Sequence, residues 1–328
     1  MSRPWPSLGG LAVAAVVALT ALSTPSIAAA QAWVRDPGSG YVQLGYRVIR
    51  DADRFFTPDG GTTDFARYSQ HTLNFYGELG LIDRWLQVTV AGELFRRNVL
   101  VDQAAVAGVG DFRVAAYTGL YEPESSGRPD PFPVRITAGV ELGLPTGDPN
   151  PDPGVAASDP SFPQLNAFAD TLPTGDGEVD VTFRLLAGWG TQLRRQGRPS
   201  LDLYATGGIG YALRTQPRRL PDILAGTGDI RDQLQTRLEV GIRSNRAVLE
   251  RFWFIVRYNG LYVIEDRNAE GQQGFAGVGD GVEVTGVGVV VSARLWDTLR
   301  LSFGADGALA ARNLPAQAAY DLSLSYEF

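Results

Sequence analysis

The chain has 328 residues, no cysteine and one histidine, and 29 basic against 36 acidic side chains give a formal net charge of −7. Without thiols there is no disulfide framework and no thiolate metal site, and mixed charges of net negative sign leave no basic patch for nucleic acid. A hydrophobic content of 44% is too low for a bundle of membrane helices.

At the N-terminus, Arg3 precedes an apolar run over residues 11–23, which Pro25 ends. Ala28 with Ala30, or Ala30 with Ala32, satisfies the small-x-small cleavage rule. Residues 1–32 therefore read as a secretory signal peptide cut after Ala30 or Ala32, with an uncleaved anchor as the alternative. The run is shorter than the roughly twenty residues of a spanning helix. Beyond it no apolar run reaches that length, so any membrane span must be made of strands.

From Tyr41 onward the dominant period is two. Leu44, Tyr46 and Val48 oppose Gln43, Gly45 and Arg47; Ile136, Ala138, Val140 and Leu142 oppose Arg135, Thr137, Gly139 and Glu141. Twelve such segments are legible: 41–50, 66–80, 85–95, 109–121, 134–144, 178–191, 200–213, 232–243, 251–263, 281–294, 299–311 and 318–328. Residues 282–293 are apolar on both parities and give no orientation. Gaps after even segments are mostly short, and those after odd segments mostly longer: 51–65, 96–108, 145–177, 214–231 and 264–280. Apolar-out, polar-in strands with alternating short turns and long loops describe a transmembrane antiparallel up-and-down β-barrel. The expected fold is all-β, about twelve strands over residues 33–328, in the outer membrane of a Gram-negative bacterium. An even count leaves both termini on the periplasmic side. Trp85, Tyr121, Trp189, Tyr211, Tyr262 and Trp296 stand near strand ends as candidate interfacial girdles.

The last segment alternates strictly and ends on Tyr326 and Phe328. This resembles the terminal signature read by the barrel assembly machinery, which becomes an expected partner beside outer-membrane lipids.

The segment 145–177 carries seven Pro and five Asp, with no Arg, and LPTGD occurs at both 144–148 and 172–176. It reads as a solvated outer loop, with folding into the mouth as the alternative. Asp148, Asn150 and Asp152 alternate as in a calcium loop, but the glycine is one place late and no bidentate Glu follows. No metal, cofactor or catalytic residue is assigned. His71, the one histidine, shares a face with Leu73 and Phe75. A lipid hydrolase could use it with Ser69, two residues before, although no orienting Asp or Asn stands nearby. A plugged structural or surface barrel is the other alternative.

Lumen candidates follow from parity: Arg47, Glu78, Glu93, Arg113, Arg135, Glu141, Asp180, Arg184, Asp202, Arg237, Glu239 and Arg257, with Glu283, Arg300, Asp306 and Asp321 in the same set. Charges withdrawn from bulk water need partners, so cross-strand ion pairing is the default role for each.

The middle of the chain has a further pattern. A G-x-G-D strand start, with Gly110 and Asp111, precedes a strand ending in LPTGD, with Pro145, Thr146, Gly147 and Asp148, and then a glycine-rich start at Gly175 and Gly177. Over residues 108–213 this resembles the transporter-like outer-membrane family associated with the meta-pathway of phenol degradation. The resemblance implies a barrel passing small solutes, aromatic or hydrophobic, with the motif residues shaping turns.

Overall fold

The sequence alternation becomes a ladder of antiparallel strands. The computed structural model describes residues 32–57, 59–100, 104–122, 134–148, 172–193, 200–215, 231–264 and 282–328. The signal peptide, with its Ala30 cleavage site, and loop residues 149–171, with most of the calcium-like run, lie outside the described residues.

The strands are β1 (Gly40–Phe56), β2 (Thr62–Ile82), β3 (Leu86–Leu100), β4 (Ala104–Gly108), β5 (Phe112–Tyr121), β6 (Val134–Leu144) and β7 (Val179–Leu193). They continue as β8 (Leu201–Thr215), β9 (Gln233–Ser244), β10 (Phe252–Val263), β11 (Glu283–Arg294), β12 (Leu299–Arg312), β13 (Leu314–Pro315) and β14 (Ala319–Glu327). Both β4 and β5 pair with β3, at successive heights, so they form one interrupted wall strand. Likewise β13 and β14 pair with β1 in succession. The wall is thus a twelve-stranded antiparallel barrel, closed where β1 pairs with both β2 and β14. Closure leaves no edge and pairs the backbone within the protein, the condition for spanning hydrocarbon with strands.

The outward face is apolar: Phe183, Ile209, Val240, Phe254 and Leu322 are all exposed. Val287, Val289 and Val291 point outward as well, while Val290 and Ser292 are buried, which orients the stretch the sequence left open. Trp85 and Trp296 stand exposed at the turns before β3 and β12, and Tyr121 and Tyr211 are exposed near strand ends.

Two expected gaps are strand. Residues 51–56 and 62–65 extend the β1–β2 hairpin, and 96–100 pair with 104–108. The period-two signal fails there because bulges interrupt it. One between Leu73 and Asn74 sets Leu94 and Phe95 side by side, both exposed, and turns Arg96 and Asn98 inward. Glu283 is also corrected. Val282 and Val284 line the bore, so Glu283 between them shares the outward parity of Val287, and it pairs with Arg312 at 2.8 Å.

Candidate functional site

The bore is lined by the polar parity of the strands, and three layers fill it. At the end of the barrel where β1 begins and the last strand ends, residues 32–39 turn inward instead of trailing into solvent. Arg35 anchors them: its backbone N–H donates to Gln87 Oε1 at 2.8 Å, its Nε to Glu78 at 2.5 Å and its Nη1 to Glu327 at 3.0 Å. Further in, Ala32 packs on Ala115, Tyr117 and Leu186, and its carbonyl accepts the Thr137 hydroxyl at 2.8 Å. Gly188 leaves the space into which Ala32 and Trp33 fit. The segment thus bridges the bore from β1 to β5–β7 and narrows it. Sequence reasoning missed this, because residues 32–39 carry neither period; the charged pair Arg35 and Asp36 just before the first strand was the available signal.

Along the bore, from one end to the other, ion pairs tie strands together. Arg184 donates to both oxygens of Glu141, at 3.2 and 2.8 Å, and to Gln235 at 2.8 Å. Arg257 bridges Asp306 and Asp321, reaching the latter at 2.5 Å. Arg243 holds Asp202 at 2.6 Å and lies 4.8 Å over the Trp253 ring. Glu239 accepts the Tyr204 hydroxyl at 2.6 Å and lies 3.3 Å from Arg237. Arg135 pairs with Glu122 at 2.6 Å, and Glu93 with Arg96 at 3.4 Å.

Between these pairs lie two cavities of about 400 and 530 Å³. The first is lined by Arg113, Glu141, Asp176, Asp180, Arg184 and Arg237; the second by Arg47, Arg237, Arg257, Asp306 and Asp321. Arg237 and Asn259 line both, so the cavities adjoin. Of the twelve lumen candidates, Arg47, Arg113, Glu141, Asp180, Arg184, Arg237 and Arg257 therefore gather around this space. Glu78, Glu93, Arg135, Asp202 and Glu239 serve wall or plug contacts instead.

At the outer end the two LPTGD turns meet. The Asp111 carboxylate accepts the N–H of Gly147 at 2.9 Å and that of Asp176 at 2.8 Å. Thr146 donates its hydroxyl to the Gly110 carbonyl, and the Thr174 hydroxyl accepts the N–H of Asp148. The turns touch so closely that a Cβ on Gly147 would enter the backbone of Gly175, and one on Gly175 the Asp111 carboxylate. Asn98 donates to the Pro173 carbonyl at 2.7 Å, and Leu172, Thr174 and Glu178 are buried. The returning arm, 172–178, is therefore packed into the mouth, not solvated as the loop reading expected. Polar wall groups satisfy its backbone, which makes its burial affordable. Burial, then the neighbouring Asp111 charge, pushes the Asp176 carboxyl above the usual carboxylate range.

On the outer surface, His71 Nδ1 is 2.6 Å from the Tyr46 hydroxyl. The Ser69 hydroxyl is buried and accepts the N–H of Asp51 at 3.0 Å. The pair a hydrolase would need is thus engaged with other groups.

No protein-family model matches the chain, and no curated protein matches it. Solved structures do resemble it. An outer-membrane channel from Pseudomonas putida F1 aligns with a TM-score of 0.54 at 13% identity, over 92% of this chain and 100% of that one. The NanC porin aligns with a TM-score of 0.41 at 11% identity, over 88% and 100%. The first likeness supports the same fold, a closed barrel of the outer-membrane type.

Proposed function

We propose that this barrel passes small solutes across the outer membrane of a Gram-negative bacterium, as a porin-like or transporter-like channel. The observation that carries the reading is the pair of adjoining, water-exposed cavities lined by charged and amide side chains along the bore. A twelve-strand wall lies between about eight strands, whose interior side chains fill, and about sixteen, which leave an open channel. A narrow path is the expected result, and the plug of residues 32–39 narrows it further.

The resemblance over residues 108–213 supports small aromatic compounds as the solutes. Their hydrophobic bodies meet a lined, polar path here, so solutes carrying both a ring and a polar group fit best. The exposed apolar belt takes outer-membrane lipid as its solvent. The seam also supports recognition of the last strand by the assembly machinery: Gly40 and Phe328 exchange N–H···O bonds at 2.8 and 3.0 Å, and the Tyr326 and Phe328 rings stack at 6.0 Å.

Conductance of the refolded protein in a planar bilayer tests the proposal. Discrete current steps are the expected result. A correctly folded barrel that stays silent at all voltages, with and without residues 32–36, would overturn it.

A further inference from the structure

The charges that face water in the bore are not balanced. Among the charged residues lining the two cavities, Arg47, Arg113 and Arg237 are exposed, whereas Glu141, Asp176, Asp180, Asp306 and Asp321 are all part-buried. Three of these acids are drawn into the wall by committed partners, Glu141 by Arg184, and Asp306 and Asp321 by Arg257, while Asp176 accepts the Glu178 N–H and Asp180 Oδ1 has no hydrogen-bond partner among the described residues. The exposed arginines make no close pair with these five acids among the described residues. Arg113 approaches Glu141 only to 3.9 Å, with 49% of its side chain exposed. Arg237 lies 3.3 Å from Glu239 and is equally exposed, and Glu239 is already engaged by Tyr204. Among the described residues no carboxylate lies within salt-bridge distance of Arg47, although Asp321 is its cross-strand neighbour. The whole chain carries −7, yet the solvent in its bore meets guanidinium groups.

The larger cavity adds shape to this charge. Arg47 and Arg237 line it together with the donor amides of Gln43, Asn74 and Asn259, and the same cavity is walled by Ile49, Val284 and Leu314. A guanidinium offers planar paired donors matched to a carboxylate. An apolar wall beside such donors accommodates the body of an organic acid, which inorganic phosphate or chloride lacks.

We infer that the cavity between Arg47 and Arg237 binds small organic monocarboxylates with an apolar body, and that the bore is consequently anion-selective. This deepens, and rests on, the reading of the barrel as a solute path. Arg237 lines both cavities, so an anion held there is handed from one to the other along the bore.

Two measurements test it on the refolded protein. The first is calorimetric titration in micelles with benzoate, inorganic phosphate and phenol, which does not need the barrel to conduct. Benzoate binding tighter than either other probe is expected, weakened about tenfold or more in Arg47→Gln and in Arg237→Gln. Among the described residues Arg47 has no salt bridge to lose, so Arg47→Gln should fold; heat-modifiable migration checks this. The second is the reversal potential across a KCl gradient, expected to take the sign of chloride permeation and to move toward zero in Arg47→Gln/Arg113→Gln/Arg237→Gln. A conducting but cation-selective pore would overturn the inference and leave the solute-path reading intact. A silent barrel that binds benzoate through Arg47 would overturn the solute-path reading, and the anion selectivity with it, and leave the carboxylate site standing. Phosphate binding as tightly as benzoate, or benzoate binding unaffected by Arg47→Gln, would overturn the assignment of the site.

Discussion

Asp111 Oδ1 accepts the backbone N–H of Gly147 at 2.9 Å, across a separation of 36 residues in the chain. Its other oxygen accepts the N–H of Asp176, so one carboxylate ties the outgoing and returning arms of the longest loop to the start of β5. The repeated LPTGD thereby has a physical meaning. Each copy supplies a turn whose N–H points at the same acceptor, and each glycine permits the contact.

Removing that acceptor leaves two part-buried N–H groups without their charged partner. Asp111→Ala is expected to lower the unfolding free energy by about 2–4 kcal/mol, since hydrogen bonds to charged groups contribute about 1.5–3 kcal/mol each. Asp111→Asn keeps one acceptor oxygen and should lose about half as much. Urea unfolding followed by tryptophan fluorescence reads both. Equal stability of Asp111→Ala and wild type would show that the clamp contributes nothing.

Arg35 is the anchor of the inner segment. Its Nε and Nη1 hold Glu78 and Glu327 in a buried setting, and truncation removes the guanidinium from both carboxylates. Breaking a buried pair from one side costs about 3–5 kcal/mol. Arg35→Ala should therefore loosen the plug before the wall, and single-channel conductance should rise, as it should on deletion of residues 32–36. Unchanged conductance in both variants would mean that the segment does not limit the path.

The wall was legible in the sequence and the filling was not. Twelve alternating segments map onto the twelve wall strands because one face meets lipid and the other a polar bore, so the solvent imposes the period. Where that contrast ends, the signal ends. The outer hairpin of β3 and β4 has no lipid side to be apolar against, and the bulge at Leu73 shifts its parity. The Arg184–Glu141 pair runs diagonally between neighbouring strands, and the Arg257–Asp306 pair skips a strand, joining β10 to β12 across β11; alternation encodes neither relationship. Parity found the inward charges; only the register sorts Arg47, left facing water, from Arg257, held between two acids.

That sorting predicts opposite outcomes for two arginines in one cavity. Arg257→Gln strands Asp306 and Asp321, so it should destabilise by about 3–5 kcal/mol and shift the bore toward cations by freeing two carboxylates. Arg47→Gln should change selectivity with stability within about 0.5 kcal/mol of wild type. Thermal unfolding together with reversal potentials checks the pair, and matching stability losses would erase the distinction.

His71 offers a cleaner exclusion. Its Nδ1 meets Tyr46, and Ser69 is turned toward Asp51, so neither forms a nucleophile–base pair. Purified wild type and His71→Ala are expected to hydrolyse phospholipid at the same background rate. A rate lost in His71→Ala would restore a hydrolase reading.

Asp176 gives the mouth a pH dependence with a definite sign. Burial and the Asp111 charge raise its pKa in the folded protein above the unfolded value of about 3.9. A group so raised favours folding fully below the unfolded pKa, and that contribution is lost as pH rises through the folded pKa. At neutral pH the ionised Asp176 therefore opposes the folded mouth. Asp176→Asn keeps an acceptor for the Glu178 N–H, now at 3.0 Å, and its own N–H still reaches Asp111. The variant should unfold at higher temperature than wild type at pH 7, with the gap closing as pH falls below about 4, where the wild-type carboxyl is itself neutral. A gap that widens toward acid would mean that the Asp176 charge stabilises the mouth, and that its proximity to Asp111 is outweighed by Arg113 and Arg214.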